Sequence, residues 1–191
     1  MMMVFCYGLA LGQNTLDITF DGQPVQPPDS QYIVTSYSES GMLFTSLPEN
    51  VGFDRNANAG GFSFYPDNGS TYIQQTAGAP VIFSFTDGSL FGLDSVDLAG
   101  YSSSLPDFDV QFVGYHPDGS TVTTDLSGSG INFQTFDFTG FSDLSYVEIS
   151  TPDWSLDNLV VSTPEPSVGK FFLVGSLLFG AVKLRRDRRA L

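Results

Sequence analysis

Phe108-Asp109-Val110-Gln111-Phe112-Val113, followed shortly by Pro117-Asp118-Gly119-Ser120, decides the fold class of this chain. Side chains on a strand alternate between its two faces, so Phe108, Val110 and Phe112 point one way and make one face apolar. Pro117 then fixes one φ, and Asp118-Gly119 tolerate positive φ, which is the chemistry of a hairpin turn. The same combination recurs along the chain in both directions. Phe62 and Phe64 share a face, as do Val81, Phe83 and Phe85, and Pro66-Asp67-Asn68-Gly69-Ser70 and Thr86-Asp87-Gly88-Ser89 are further turns. The likeness of the two Pro-Asp turns reflects shared hairpin chemistry rather than an internal repeat.

Reading outward from this stretch predicts strands over Leu16–Phe20, Gln31–Tyr37, Gly61–Tyr65, Val81–Phe85, Leu93–Ala99, Phe108–Val113, Ile131–Phe138, Leu144–Ile149 and Leu156–Val161. Helical periodicity is sustained nowhere among them. So many short strands in one ordinary domain length predict an all-β fold, an antiparallel β-sandwich of jelly-roll type over residues 13–162. Composition agrees: 18 Phe and 8 Tyr supply strand-forming bulk, and 20 Gly and 11 Pro supply turns.

Charge excludes one class of partner. Residues 1–163 hold nineteen of the 21 acids but only one of the seven bases, Arg55, for a formal charge of −18. Nucleic-acid binding requires Lys and Arg to neutralise phosphates, so no nucleic-acid partner is expected, whereas divalent cations are plausible ones. The only cysteine, Cys6, lies in the apolar start of the chain, so the domain has no internal disulfide and no thiol chemistry.

The two ends read as addressing segments. Met1–Leu11 is apolar and runs into Ala10-Leu11-Gly12, which suits signal peptidase cleavage before Gln13, although no Lys or Arg precedes the run. Residues 1–12 are therefore expected to be a truncated signal peptide, with a first strand as the alternative. At the other end Thr163-Pro164-Glu165-Pro166 is followed by the apolar run Phe171–Val182 and by Lys183-Leu184-Arg185-Arg186-Asp187-Arg188-Arg189. Extended over 167–184, that run makes a helix of about 27 Å, a marginal membrane span with Lys170 and Lys183 able to snorkel. The basic cluster would stay cytoplasmic, which places everything before Pro164 outside. A buried core helix fits poorly, because the run is apolar on all sides and ends against four arginines.

Pro164-Glu165-Pro166, one apolar helix and the Arg185, Arg186, Arg188 and Arg189 cluster together resemble the PEP-CTERM sorting signal of Gram-negative bacteria, here spanning residues 163–191. The resemblance implies recognition by an exosortase, an inner-membrane-anchored precursor, and then release or attachment at the cell surface or extracellular matrix. It also implies an association with exopolysaccharide and biofilm. Phe138-Thr139-Gly140-Phe141-Ser142-Asp143-Leu144-Ser145-Tyr146-Val147-Glu148-Ile149, with Leu156-Asp157-Asn158-Leu159-Val160-Val161, is similar to the closing strand pair of galactose-binding-like and carbohydrate-binding jelly rolls.

Few residues carry recognisable chemistry. If Leu159 and Val161 face the core, Asp157 shares their side and needs compensation; in the opposite register it is solvated. A structural calcium would supply that compensation, with oxygen ligands from Asp157, from Asp21 or Asp17, and from backbone carbonyls. A sugar platform needs aromatic faces beside polar groups, for which Trp154, Tyr115 and Tyr101, with Asp153 nearby, are the candidates. Trp154 reads equally as core packing. His116 sits in a turn and reads as a solvated turn histidine, and one histidine with no usable cysteine disfavours zinc. Asp94/Asp97 and Asp107/Asp109 are paired carboxylates of the kind glycosidases use, yet neighbours on one strand do not flank a substrate. The expectation is a non-catalytic exported surface or matrix protein with a structural or adhesive role linked to exopolysaccharide. The alternatives are a carbohydrate-binding module and, less favoured, a secreted glycan hydrolase.

Overall fold

A strand with one apolar face must bury that face against a second layer, and this chain does so by pairing its strands into two antiparallel sheets. The computed structural model describes residues 13–21, 31–48, 52–56, 63–75 and 78–164. In chain order the strands are β1 (Gln13–Ile18), β2 (Gln31–Val34), β3 (Ser36–Glu39), β4 (Met42–Ser46), β5 (Phe53–Asn56), β6 (Tyr72–Gln75), β7 (Val81–Phe85), β8 (Gly92–Gly100), β9 (Asp107–Tyr115), β10 (Thr121–Ser129), β11 (Gln134–Asp137), β12 (Tyr146–Ile149) and β13 (Trp154–Pro164). Among the described residues one sheet runs β11-β8-β13-β6-β5-β2, with β1 also paired to β13, and the other runs β10-β9-β12-β7-β4-β3. Residues Thr15–Thr163 form one compact unit. The all-β, two-sheet expectation holds. The signal segment 1–12, the helix over 167–184, and Glu165, Pro166 and the arginine cluster lie outside the described residues.

The β9–β10 hairpin sits at the edge of the six-stranded sheet. β9 and β10 pair over their whole length, from Thr121 opposite Tyr115 to Ser129 opposite Asp107. The turn closes with the His116 N–H donating to the Ser120 carbonyl at 2.9 Å and Gly119 at φ 85°. The Ser120 hydroxyl and then the Ser120 N–H donate to Asp118, and these bonds hold its carboxyl below the usual range.

Two predicted elements need correction. Gln31–Tyr37 is not one strand: the chain leaves the seven-stranded sheet after Val34 and enters the other at Ser36. No turn residue marks the crossing, which falls at Thr35, so propensity alone reads straight through it. Within Gly61–Tyr65, residues 61 and 62 lie outside the described set, and Ser63–Tyr65 is turn rather than strand. Phe64 is 48% exposed there.

Between the sheets the inner faces interdigitate as period 2 requires. Phe20 meets Phe44 edge-on at 5.2 Å, Phe44 stacks on Phe83 at 5.1 Å, and Phe85 meets Phe91 at 5.6 Å, a seam that ties β1, β4 and β7 together. Such pairs contribute about 0.5–1.5 kcal/mol each beyond their buried area. β13 carries a bulge: its pairing with β8 shifts between Asp157 and Val160, and Asn158 adopts φ 45°. One extra residue there turns both Leu156 and Leu159 into the core, so both registers weighed for this strand are partly realised. Asp157 follows Leu156 and therefore lies on the outer face of the sheet.

Candidate functional site

The outer face of the six-stranded sheet carries the residues whose neighbours in β9 and β12 are buried. Phe112 and Val110 face the core, so Gln111, Val113 and Tyr115 face out; Val147 and Ile149 face in, so Tyr146 and Glu148 face out. The register sets Tyr146 directly opposite Tyr115 and Glu148 opposite Val113. The two phenol rings stack at 4.3 Å between centroids with an interplanar angle of 11°. The Tyr115 hydroxyl donates to Glu148 at 3.4 Å, and burial, then Glu148 and Tyr146, raise its pKa. One strand further out, Asp125 accepts from Gln111 Nε2 at 2.9 Å. Both tyrosines are only half-buried. The result is an aromatic ridge flanked by a carboxylate, an amide and, on β10, the row Thr121, Thr123 and Asp125. Nothing in it is catalytic machinery; it offers apolar ring surface and fixed hydrogen-bonding groups side by side.

The outer face of the seven-stranded sheet is different, because it is roofed by 63–71, 101–105 and Phe133. Beneath that roof lies a buried polar layer. Gln74 donates through Nε2 to the Tyr101 carbonyl at 2.8 Å and to Ser155 Oγ at 2.7 Å, and its Oε1 accepts from Asn56 at 2.8 Å. Tyr72 meets Phe133 edge-on and donates to the Pro66 carbonyl at 2.7 Å. Asp157 has no exposed surface. Its Oδ2 accepts from Asn68 at 2.5 Å and from Ser70 at 2.6 Å, and its Oδ1 from the Asn158 N–H at 2.8 Å. Burial pushes its pKa up to about 6, against those hydrogen bonds, and nearby Asp21 adds to the rise.

Trp154 cannot be a sugar platform: it is fully buried, belongs to the core cluster, and donates through Nε1 to the Thr151 carbonyl at 2.5 Å. The reason is its register on β13, where Trp154 shares the inward face with Leu156. Tyr101 and Tyr115, grouped with it from sequence, lie on different sheets' outer faces. Tyr115 finds its partner in Tyr146, and Tyr101 meets Tyr65 edge-on at 5.7 Å. Of the calcium candidates, Asp21 lies near Asp157 but accepts from the Thr71 N–H at 2.8 Å. Asp17 carries a pKa raised by burial, then by Asp97 and Glu39. Among the described residues no three acid, histidine or cysteine side chains are grouped to hold a metal.

His116 stays in its turn, with Nδ1 3.3 Å from the Asp143 carbonyl. Asp94 accepts from Ser162, and Asp97 from Thr135 and Asn158. Asp107 and Asp109 face solvent on β9. Pro164 ends β13. Sequence reasoning missed Tyr146 and Glu148 as site residues. Their shared face was legible from period 2, but the pairing of Tyr146 with Tyr115 depends on a strand neighbourhood that local pattern does not encode.

No family model and no curated protein matches the chain. Among solved structures it is similar to a mutant family 29 carbohydrate-binding module, at 11% identity over 81% of this chain and 88% of that one, with a TM-score of 0.38. It is also similar to the CBM22-1-GH10 modules of xylanase 10B from Clostridium thermocellum, at 10% identity over 79% of this chain and 28% of that one, with a TM-score of 0.35. A third is the family 11 carbohydrate-binding module of the cellulosomal cellulase Lic26A-Cel5E from Clostridium thermocellum, at 10% identity over 80% and 95%, with a TM-score of 0.31. At such identities and TM-scores neither a site nor a ligand passes from them to this chain.

Proposed function

We propose that residues 13–163 form a non-catalytic polysaccharide-binding sandwich of an exported surface or matrix protein, with the outer face of the six-stranded sheet as its contact surface. The observation that carries this reading is the Tyr115–Tyr146 stack, a half-buried aromatic pair fixed by strand register beside Glu148. Pyranose rings present apolar C–H faces and hydroxyl edges, and a rigid aromatic ridge flanked by carboxylate and amide groups matches both. The formal charge of −18 over residues 1–163 repels anionic polymers, so the polymer is a neutral one. The tail resembling the PEP-CTERM signal would deliver the domain: an exosortase acts on the segment from Pro164 after it has held the precursor in the inner membrane. Adhesion to exopolysaccharide is the role this combination serves. Catalysis has no support in the carboxylate pairs, since Asp94 and Asp97 are tied to neighbouring side chains on their own sheet.

The test is affinity electrophoresis of the full chain through gels containing hydroxyethylcellulose, xylan or alginate, in a polyoxyethylene detergent that carries no sugar. Retardation by a neutral polymer, weakened about tenfold in Tyr146→Ala and kept in Tyr146→Phe, is the expected result. Passage through all three gels without retardation leaves a purely structural surface protein as the better reading.

A further inference from the structure

A second aromatic surface lies on the opposite side of the sandwich, and we propose that it binds another segment of the same neutral polysaccharide, making the domain a cross-linker rather than a single-site binder. This rests on the polysaccharide reading above. Over the outer face of the seven-stranded sheet, Phe64 meets Tyr65 edge-on at 5.8 Å, and Tyr65 meets Tyr101 edge-on at 5.7 Å and 89°. Phe64 is 48% exposed and Leu105 43% exposed. Among the described residues the exposed large apolar side chains are Ile33, Leu47, Phe64 and Leu105, so Phe64 is the aromatic one of that group.

The framework beneath is rigid. The Ser103 N–H donates to the Phe64 carbonyl at 2.8 Å, which fastens the 102–105 turn to the 63–71 segment. Ser102 and Leu105 exchange both backbone bonds, and Gly130 N–H donates to the Pro106 carbonyl at 2.9 Å. A pre-ordered aromatic cluster loses little entropy on binding, which is what a solvent-facing sugar platform requires. Single exposed apolar residues need no explanation, but Phe64 is continuous with the Tyr65 and Tyr101 rings, and the turn that carries Leu105 is hydrogen-bonded to the Phe64 carbonyl.

Charge selects the occupant. Asp67 stands two residues from Tyr65, its Oδ1 accepting from the Gly69 N–H, and carboxylates accept from sugar hydroxyls. A second copy of this chain, formally −18 over residues 1–163, or an anionic polymer would instead bring like charge against this one. Tyr115 and Tyr146 face away from the other sheet, so one domain presents two contact surfaces back to back, separated by both sheets of the sandwich. Two sites on opposite faces cannot both grip one short glycan segment; they bridge separate segments, and bridging gives avidity without new contacts.

Two measurements on the full chain in the same detergent test this. In calorimetric titration with cellohexaose and xylohexaose, the expected stoichiometry is two hexasaccharides per chain, falling to one in Phe64→Ala and to one in Tyr146→Ala. Light scattering with hydroxyethylcellulose or xylan should rise to a maximum and fall in protein excess for the native chain. Phe64→Ala and Leu105→Ala should scarcely scatter although they are still retarded in the gel through the Tyr146 site. Phe64 and Leu105 are exposed, so neither variant threatens folding. One hexasaccharide per chain, or undiminished scattering in Phe64→Ala, overturns the second site and leaves the first intact. No binding to either face by the native chain overturns both.

Discussion

The Arg55 guanidinium lies over the Tyr37 ring, 4.4 Å from its centroid, inside the sandwich. Arg55 is the one base of residues 1–163, and it is buried on the inner face of β5. It donates to the Phe20 carbonyl, where the backbone leaves β1 at φ 60°, while Tyr37 donates to Glu39 at 2.5 Å and Glu39 accepts from the Thr19 N–H at 3.1 Å. Burial lowers the Arg55 pKa, against Tyr37, Glu39 and Asp21, which raise it. One cation thus joins the end of β1 to both sheets. Arg55→Ala should destabilise the domain by about 2–4 kcal/mol, through a lost cation–π contact, a lost hydrogen bond and a cavity. Arg55→Met should cost less, because it keeps the packing of the stem. Urea midpoints of the two variants check the order; equal losses would show that charge alone matters.

Trp154 reports on the core and not on the ligand. The chain has a single tryptophan, so its emission is unambiguous. A fully buried indole should emit at short wavelength, and polysaccharide should leave the spectrum unchanged even when the gel shows binding. Trp154→Ala should cost about 3–5 kcal/mol in denaturation, and Trp154→Phe less, because the cavity is smaller. A ligand-dependent shift in emission would mean that the face carrying Trp154 is in contact with sugar.

Where local pattern and tertiary outcome agree, the reading of the sequence was accurate. Val81–Phe85 matches β7 residue for residue, and the Pro117-Asp118-Gly119-Ser120 turn joins β9 to β10 as its chemistry requires. The strands that were missed differ in cause. β5 (Phe-Asp-Arg-Asn) and β6 (Tyr-Ile-Gln-Gln) are buried on both faces although most of their side chains are polar, so no alternation advertises them. β10 is an edge strand in which only Val122 and Leu126 are apolar among Thr, Ser, Asp and Gly; both pack against the core, but two apolar residues four apart are a weak strand signal. β4 did alternate, with Met42 and Phe44 buried, and was legible but passed over. For the site, Tyr115 and Tyr101 were visible as turn-proximal tyrosines. Their partners Tyr146 and Tyr65 were not, because those contacts depend on strand order and on a loop folded over a sheet. The bulge at Asn158 is the subtlest case: it let Leu156 and Leu159 both face inward, which strict period 2 forbids.

Gly100 should be intolerant of any side chain. A Cβ there would lie 2.2 Å from the Pro106 carbonyl oxygen, a backbone atom that cannot swing aside. The Gly100 N–H also donates to the Gly130 carbonyl at 2.8 Å, so strand and turn are fixed against each other. Gly100→Ala should destabilise by about 1–3 kcal/mol and should displace the turn that carries Leu105. Thermal denaturation measures the first effect. Weaker hexasaccharide binding at the Phe64 site, with the Tyr146 site unaffected, measures the second.

Asp157 should make the domain less stable as pH rises through the weakly acidic range. Its pKa is raised from 3.8 to about 6, so between those values the folded state holds a proton that the unfolded state has released. More protons bound to the folded form means that stability falls with rising pH. The stabilisation is fully present below about pH 3.8 and is lost by pH 6, a change on the order of 1–3 kcal/mol. Asp157→Asn removes the titrating proton while leaving an oxygen to accept from Asn68 and Ser70, so its urea midpoint should vary less between pH 4 and 7 than that of the native chain. Repeating the series with millimolar calcium tests the expected cation directly. A calcium ion on Asp157 would favour the carboxylate and reverse the trend near neutral pH, raising the native midpoint in a chelator-sensitive way that Asp157→Asn lacks. An unchanged midpoint would show that Asn68, Ser70 and the Asn158 N–H are the partners this carboxylate uses.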